Sequence, residues 1–513
     1  MKKLTNKFEK FYKAIKIVRN KFIDSIQENK SSIHIYTHLD ADGLSAGAIL
    51  GKALIRENLP FQITVLKQLE KETISNISKD VKSLNKFLIF TDFGSGQYLE
   101  LQNELILKEK FNSFIILDHH LPQNISTKED TDLLQEIFNK TYQWHVNPYF
   151  YGFDGSSEVS GAGLSYFFAK CLNENNIDLS CNAIIGAIGD IQNQGPNKSF
   201  FGLNSLILDD AKNFGFIEIK SDLNFSSIKP LNEAIAYSKE INLPGLTGDV
   251  NRTLIFLKTL GILMENSKGN IKALNELNND EKQKISSAII EYGSLKLDIE
   301  PSKIIEKLII NRFLLKNEAV GTDLYDAAEF SNLLNACGRL NHASLGIAIA
   351  MGDRKSSYQK SQEILLNYKK TLFKSLIWLK DNNKIQQKEY IQYFLAEDII
   401  PDTMVGTIAS MLVFENSEGF DISKPIFGLA KREDENVYKV SGRAHQMIVN
   451  KGVNLSKAIR EACEQTGLDV LGGGHPPAAG TKIPVDKVEI YLENCNLAIR
   501  KQLHGKYNKN EAS

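Results

Sequence analysis

Thiols are scarce. Five cysteines in 513 residues (Cys171, Cys181, Cys337, Cys463 and Cys495) are odd in number, widely separated and never paired as CxxC. That argues against a disulfide framework or a thiolate zinc site and predicts a reducing, cytoplasmic setting. Long apolar runs are missing too: none reaches the roughly 18–20 residues of a membrane span, so no membrane partner is expected. Net charge is almost nil, −1 from 61 basic and 62 acidic side chains, which excludes a globally basic, histone-like binder. A local basic groove remains compatible with that balance. Internal repeats, low-complexity tracts and Pro-rich linkers are absent. The basic N-terminus lacks the apolar core of a signal peptide. Instead Phe8, Phe11, Ile15, Val18, Phe22 and Ile26 recur at helical spacing, which predicts an amphipathic helix over 1–30.

What the chain does have is a series of short apolar runs, each ending in an acid or an imidazole. Phe114 to Leu117 runs into Asp118-His119-His120, and Ile33 to Thr37 into His38-Leu39-Asp40-Ala41-Asp42-Gly43. Phe87 to Thr91 runs into Asp92, and Ala183 to Ile188 into Gly189-Asp190. Runs of this kind are typical of strands buried on both faces. Ligands of an open parallel sheet collect outside the carboxyl ends of its strands, where these side chains emerge. Helical stretches alternate with the runs, giving a parallel-sheet α/β domain over 31–198. From 199 to 325 the pattern is mostly helical, a connector or insert without concentrated chemistry. A smaller α/β unit over 326–513 closes the chain. A length of 513 residues fits this count of two or three domains.

Asp40, Asp42, Asp92, His119 and Asp190, with His38 and His120 close by, form the candidate ligand set. Oxygen and imidazole donors without thiolate suit Mn²⁺ or Mg²⁺. Five ligands, mostly carboxylates, are too many for one ion and natural for two, which can clamp a phosphodiester and lower the pKa of a shared water. Phosphoester hydrolysis is therefore the expected reaction class. In the C-terminal unit, Gly472-Gly473-Gly474-His475-Pro476-Pro477 offers backbone N–H groups to an anion. Gly442-Arg443-Ala444-His445 and Gly338-Arg339 add guanidinium forks for phosphate.

The HLDADG, TDFG, LDHH and GAIGD strings, followed by GGGHPPAAG, resemble the DHH phosphoesterase superfamily with a C-terminal DHHA1-type domain. The chain looks most like archaeal RecJ-type nucleases, including the GINS-associated nuclease, and NACGRLNHASLG at 335–346 supports that subgroup. The resemblance implies that Asp40 and Asp92 hold one ion while Asp42, Asp92, His119 and Asp190 hold the second. His120 would sit beside the scissile phosphate, Asp118 would orient the imidazoles, and Arg339, Arg443 and His475 would grip phosphates from across an interdomain cleft. Several relatives carry a His where Tyr36 stands, so here the first ion would draw on His38 or on water. The implied activity is a two-metal, Mn²⁺-dependent exonuclease on single-stranded DNA or RNA, in replication or repair, with a GINS or replicative-helicase partner. The alternatives are an oligoribonuclease or 3′-phosphoadenosine 5′-phosphate phosphatase, and a replication scaffold.

Overall fold

The computed structural model describes residues 2–29, 31–81, 86–109, 114–122, 145–238, 243–297, 300–397, 399–415, 420–432, 435–468 and 473–504. Gly472 lies outside them. Two compact units emerge, 1–365 and 366–513. The sequence expectation puts the division between 325 and 326. The physical reason for the difference is that the helices at Ala327–Arg339 and Ala343–Met351 pack on helices of the first unit.

The first unit is built on a five-stranded, wholly parallel sheet. Its strands are β1 (Ser32–His38), β2 (Phe61–Leu66), β3 (Lys86–Thr91), β4 (Phe114–Leu117) and β5 (His145–Val146), in the order β2-β1-β3-β4-β5. β3 and β4 are buried along nearly their whole length, as their unbroken apolar sequences require with both faces covered. The register aligns Thr37 with Thr91 and Thr91 with Leu117. Three strands therefore end close to one level, with His38 the last residue of β1 and Asp92 and Asp118 the first beyond β3 and β4. The switch point of the sheet lies between β1 and β3, where connections diverge to opposite sides and open a crevice.

Helix α1 (Lys2–Asn29) lays Phe11, Ile15, Val18 and Phe22, all fully buried, onto this unit. The Phe11 ring meets Phe153 and Phe167, and Phe22 meets Phe87 and Phe168, edge to face. Helix α2 (Ala41–Arg56) starts at the first acidic motif, and α3 (Gly161–Leu172) starts behind a Ser160 cap. Ser180–Gly189 is also a helix, α4. The sequence pattern suggests a strand for its apolar run, and the structure corrects that. A short apolar run has no decisive period, and this helix is ten residues long, rich in Ala and Gly, and buried nearly all round.

The region 199–325 is not purely helical. Strands Ile217–Leu223 and Ile309–Leu315 pair antiparallel and bracket the helices between them. Their core gathers Leu231, Leu257, Leu274, Ile285 and Ile289. The second unit is a six-stranded mixed sheet with helices Leu455–Gln465 and Val488–His504 packed on its core. No helix among the described residues is long and apolar enough to cross a membrane.

Candidate metal centre

Each acid is positioned by a different local device. Asp40 caps α2, its carboxylate accepting the Gly43 N–H at 3.1 Å. Asp42 is the second residue of α2 and is buried; it accepts the Gly161 and Ala162 N–H groups at 2.6 and 3.0 Å from the start of α3. A carboxylate at a helix N-terminus faces orphan donors and the positive end of the dipole. Asp92 follows β3 in the left-handed region at φ 65°. Asp190 terminates α4, and the Gln192 amide holds its Oδ2 at 2.9 Å.

His119 joins them. Its Nδ1 donates to the Gly155 carbonyl at 2.6 Å, which turns Nε2 toward the acids: 3.2 Å from Asp92, 3.6 Å from Asp190 and 3.8 Å from Asp42. Fixing one ring nitrogen on a carbonyl to aim the other is the usual arrangement of a ligating imidazole. On the other side His38 Nδ1 lies 2.9 Å from Asp40 and 3.6 Å from Asp92. Asp92 thus turns Oδ1 to the His119 group and Oδ2 to the His38 group. Donor atoms within each of the sets His38/Asp40/Asp92 and Asp42/His119/Asp190 lie within 4.8 Å of one another. Tyr36 contributes nothing here, being stacked between His34 and Phe90.

Electrostatically the cluster is short of positive charge. Burial and the neighbouring Asp92 and Asp190 push the Asp42 carboxyl well above the usual carboxylate range, and His119 only partly offsets them. Asp190 is raised for the same reasons, burial first. Burial opposes a charge on His119, but Asp190, Asp92 and Asp42 outweigh it and raise its pKa. Asp40 is held low: His38 and the Arg339 guanidinium overcome its burial. Asp92 Oδ2 is buried and accepts no hydrogen bond. An orphaned anionic oxygen among three other acids is what a divalent cation would satisfy, so the donor set fits such an ion.

Asp118 and His120 pair beside the centre, with donor atoms of Asp92, Asp118, His119 and His120 all within 4.8 Å of one another. Asp118 is fully buried and takes the Ser95 N–H at 2.8 Å and His120 Nδ1 at 2.8 Å. Burial and His119 act against a charge on His120, yet the Asp118 contact leaves its pKa raised. At 38% side-chain exposure it is far more open than His119, at 1%.

The centre is closed by glycines and by a distant helix that sequence reasoning did not connect to it. A methyl at Gly155 would overlap the His119 carbonyl oxygen, and one at Gly186 would press on Asp42 Oδ1. Asn335 Oδ1 accepts the Ala41 N–H at 3.1 Å, and Gly338 lies so close that a methyl would overlap the Leu39 carbonyl. The only sequence signal for this was the NACGR string itself. Gly155→Ala is expected to lower Mn²⁺ affinity by about 10- to 100-fold, the range for support around a ligand, in a calorimetric Mn²⁺ titration.

In the second unit the sheet joins two separate motifs. Arg443 pairs with Ala478, and Ala478 with His475 on its other side, so the arginine and the histidine share a row and a face. Arg443 Nε donates to Ser410 Oγ at 2.8 Å, and Nη1 to the Gly442 carbonyl. Gly473 and Gly474 are strand residues rather than a free loop, and Gly474, at φ 137°, has no room for a side chain against Ala478 and Ala479. His445 caps the next helix, its Nδ1 accepting the Met447 N–H at 3.2 Å.

Comparison with known proteins places these features in company. A DHH-CID domain model matches residues 226–309 and a DHHA1 domain model matches 388–501. An uncharacterized protein of Methanocaldococcus jannaschii is 33% identical over 504 residues, 98% of this chain and 99% of that one. Among solved structures, CDC45 from Entamoeba histolytica has a similar fold, with a TM-score of 0.61 at 15% identity over 96% of this chain and 99% of that one. RecJ in complex with Mn²⁺ from Thermus thermophilus gives 0.54 at 15% identity over 95% of this chain. The present chain covers 55% of that RecJ's length.

Proposed function

The chain belongs to the DHH/DHHA1 family with a RecJ-like fold, and from that premise we propose that it is a metal-dependent exonuclease acting on single-stranded DNA or RNA in replication or repair. The observation that carries the reading is Asp92, whose two oxygens face two separate donor groups. Asp40 and Asp92, with His38 or water, would hold one ion; Asp42, Asp92, His119 and Asp190 would hold the other. Mn²⁺ or Mg²⁺ there would supply Lewis acidity and a water acidified to neutral pH. The chain's own contribution is orientation and proton supply. Asp118 holds the His120 ring by Nδ1, leaving Nε2 as the proton donor to a phosphate oxygen. Arg339, whose charge acts on Asp40, would bind a phosphate beside the centre, and Arg443 and His475 are the phosphate-binding candidates of the second unit.

The test is hydrolysis of end-labelled single strands of both sugar types and both polarities with Mn²⁺, from dinucleotide to about twenty nucleotides. A strand enzyme gains kcat/KM with length because each charge-assisted phosphate contact contributes roughly 1.5–3 kcal/mol. Arg443→Ala should accordingly raise KM on long strands about tenfold. A wild-type preference for dinucleotides would instead identify an oligoribonuclease or a phosphatase of small nucleotides. A replication scaffold is the other alternative, and the acid and imidazole set gathered here argues against scaffolding alone. A GINS or replicative-helicase partner rests on the resemblance, and co-elution of the purified pair at micromolar concentration would support it.

A further inference from the structure

Helix α4 ends in a Schellman turn: the Ile191 N–H donates to the Ile188 carbonyl at 3.0 Å and the Gln192 N–H to the Ala187 carbonyl at 2.8 Å. The left-handed residue of such a turn is ordinarily glycine. Here it is Ile191, at φ 55°. A β-branched side chain is the worst tolerated in that conformation. Burial does not compensate, because Ile191 is 54% exposed.

The position is also close to the chemistry. Ile191 stands between Asp190 and Gln192, whose amide binds both Asp190 Oδ2 and the Gly155 carbonyl that orients His119. Asn204 fastens Gln192 in turn, at 2.7 Å. The loop leaving the acid passes through two further left-handed residues, Asn197 and Lys198, at φ 52° and 62°. It ends at Phe201, a large apolar side chain that is 44% exposed just before the helix Gly202–Asn213. Strain that packing does not offset persists where a ligand needs the geometry. An aliphatic and an aromatic side chain cannot read phosphate. They suit the flat faces of nucleobases, which every base offers whatever its sequence.

We propose that the loop 191–201 is a base-contacting edge beside the metal centre, with Phe201 stacking on a nucleobase and Ile191 giving an apolar contact to a base next to the scissile phosphate; this rests on the nuclease reading above. The test compares a twenty-nucleotide single strand with an abasic strand of equal length, for the wild type, Ile191→Gly and Phe201→Ala with Mn²⁺. Ile191→Gly should melt no lower than the wild type, since glycine relieves the turn. On the base-bearing strand Phe201→Ala should raise KM about tenfold, and Ile191→Gly should raise it by less, each with kcat little changed. On the abasic strand that penalty should disappear. Equal penalties on both strands would overturn the inference, because Ile191 would then be acting through Asp190. So would a wild-type KM that is the same for both strands, and this result would leave the nuclease reading intact. A wild type that cleaves neither strand would remove both.

Discussion

Asp92→Asn is expected to lose more than about a hundredfold in kcat with Mn²⁺, while melting no earlier than the wild type in chelator. Asparagine is the substitution to use because position 92 is left-handed at φ 65°, a conformation asparagine tolerates and alanine does not. The amide keeps the shape and removes the charge that both donor groups share. It also relieves Asp42 and Asp190, whose pKa values are raised by burial and then by Asp92 among their neighbours. Relief of repulsion on Asp42 and Asp190 offsets the lost attraction of Asp92 for His119 and His38 in the metal-free fold. Retention of more than a few per cent of the activity would show that Asp92 is not the shared ligand. An early melt would show that its role is structural.

The second large effect is stabilisation by the metal, and its dependence on pH. Mn²⁺ at about a hundred times its Kd contributes about 2.7 kcal/mol, which for a unit of 365 residues raises Tm by roughly 3–4 °C. Without metal, His119 holds a proton above the ordinary histidine range because Asp190, Asp92 and Asp42 outweigh its burial, and His38 is lifted to about 10 by Asp40 and Asp92 against its own burial. Asp42 and Asp190 are raised as well. The folded centre therefore binds more protons than the unfolded chain, and its contribution to stability falls as pH rises. A cation has to displace those protons, so its binding strengthens in the same direction. The Tm gained on adding Mn²⁺ should grow from about pH 6.5, where an unperturbed histidine titrates, to about pH 8.5. Groups away from the centre, such as Lys21 with its pKa lowered to about 7 by burial, act alike with and without metal and cancel. A gain that is flat or shrinks with pH would contradict the ligand set. Scanning calorimetry with and without Mn²⁺ at each pH measures it.

Much of the centre could be read from the sequence because its side chains leave the sheet at aligned strand ends. Asp92 and the Asp118-His119-His120 run need only strand, register and alternation to be placed. Asp190 joins the cluster although it ends a helix rather than a strand. An apolar run of that length fits either element until its neighbours decide. The strand pair bracketing 217–315 was missed because its two halves lie far apart in sequence and neither has a hairpin turn. Asn335 and Gly338 were legible only as a motif, because nothing local reveals which carbonyl a glycine approaches. The same holds for Gln192 and Gly155, whose roles exist only after the loops have closed.

The Gly338 contact has a consequence for synthesis. The motif at 38–43 is among the first parts of the centre to leave a ribosome, yet Asn335 and Gly338 pin it from nearly three hundred residues downstream. Sheet, acids and imidazoles can all be in place on a nascent chain while the turn at Leu39 to Ala41, which bears Asp40 and leads into Asp42, still lacks its clamp. A contact across that span is closed late, since its loop entropy must be met before it contributes. The earliest ligands to be translated are thus the last to be locked, and tight metal capture waits for the helix that ends at Arg339.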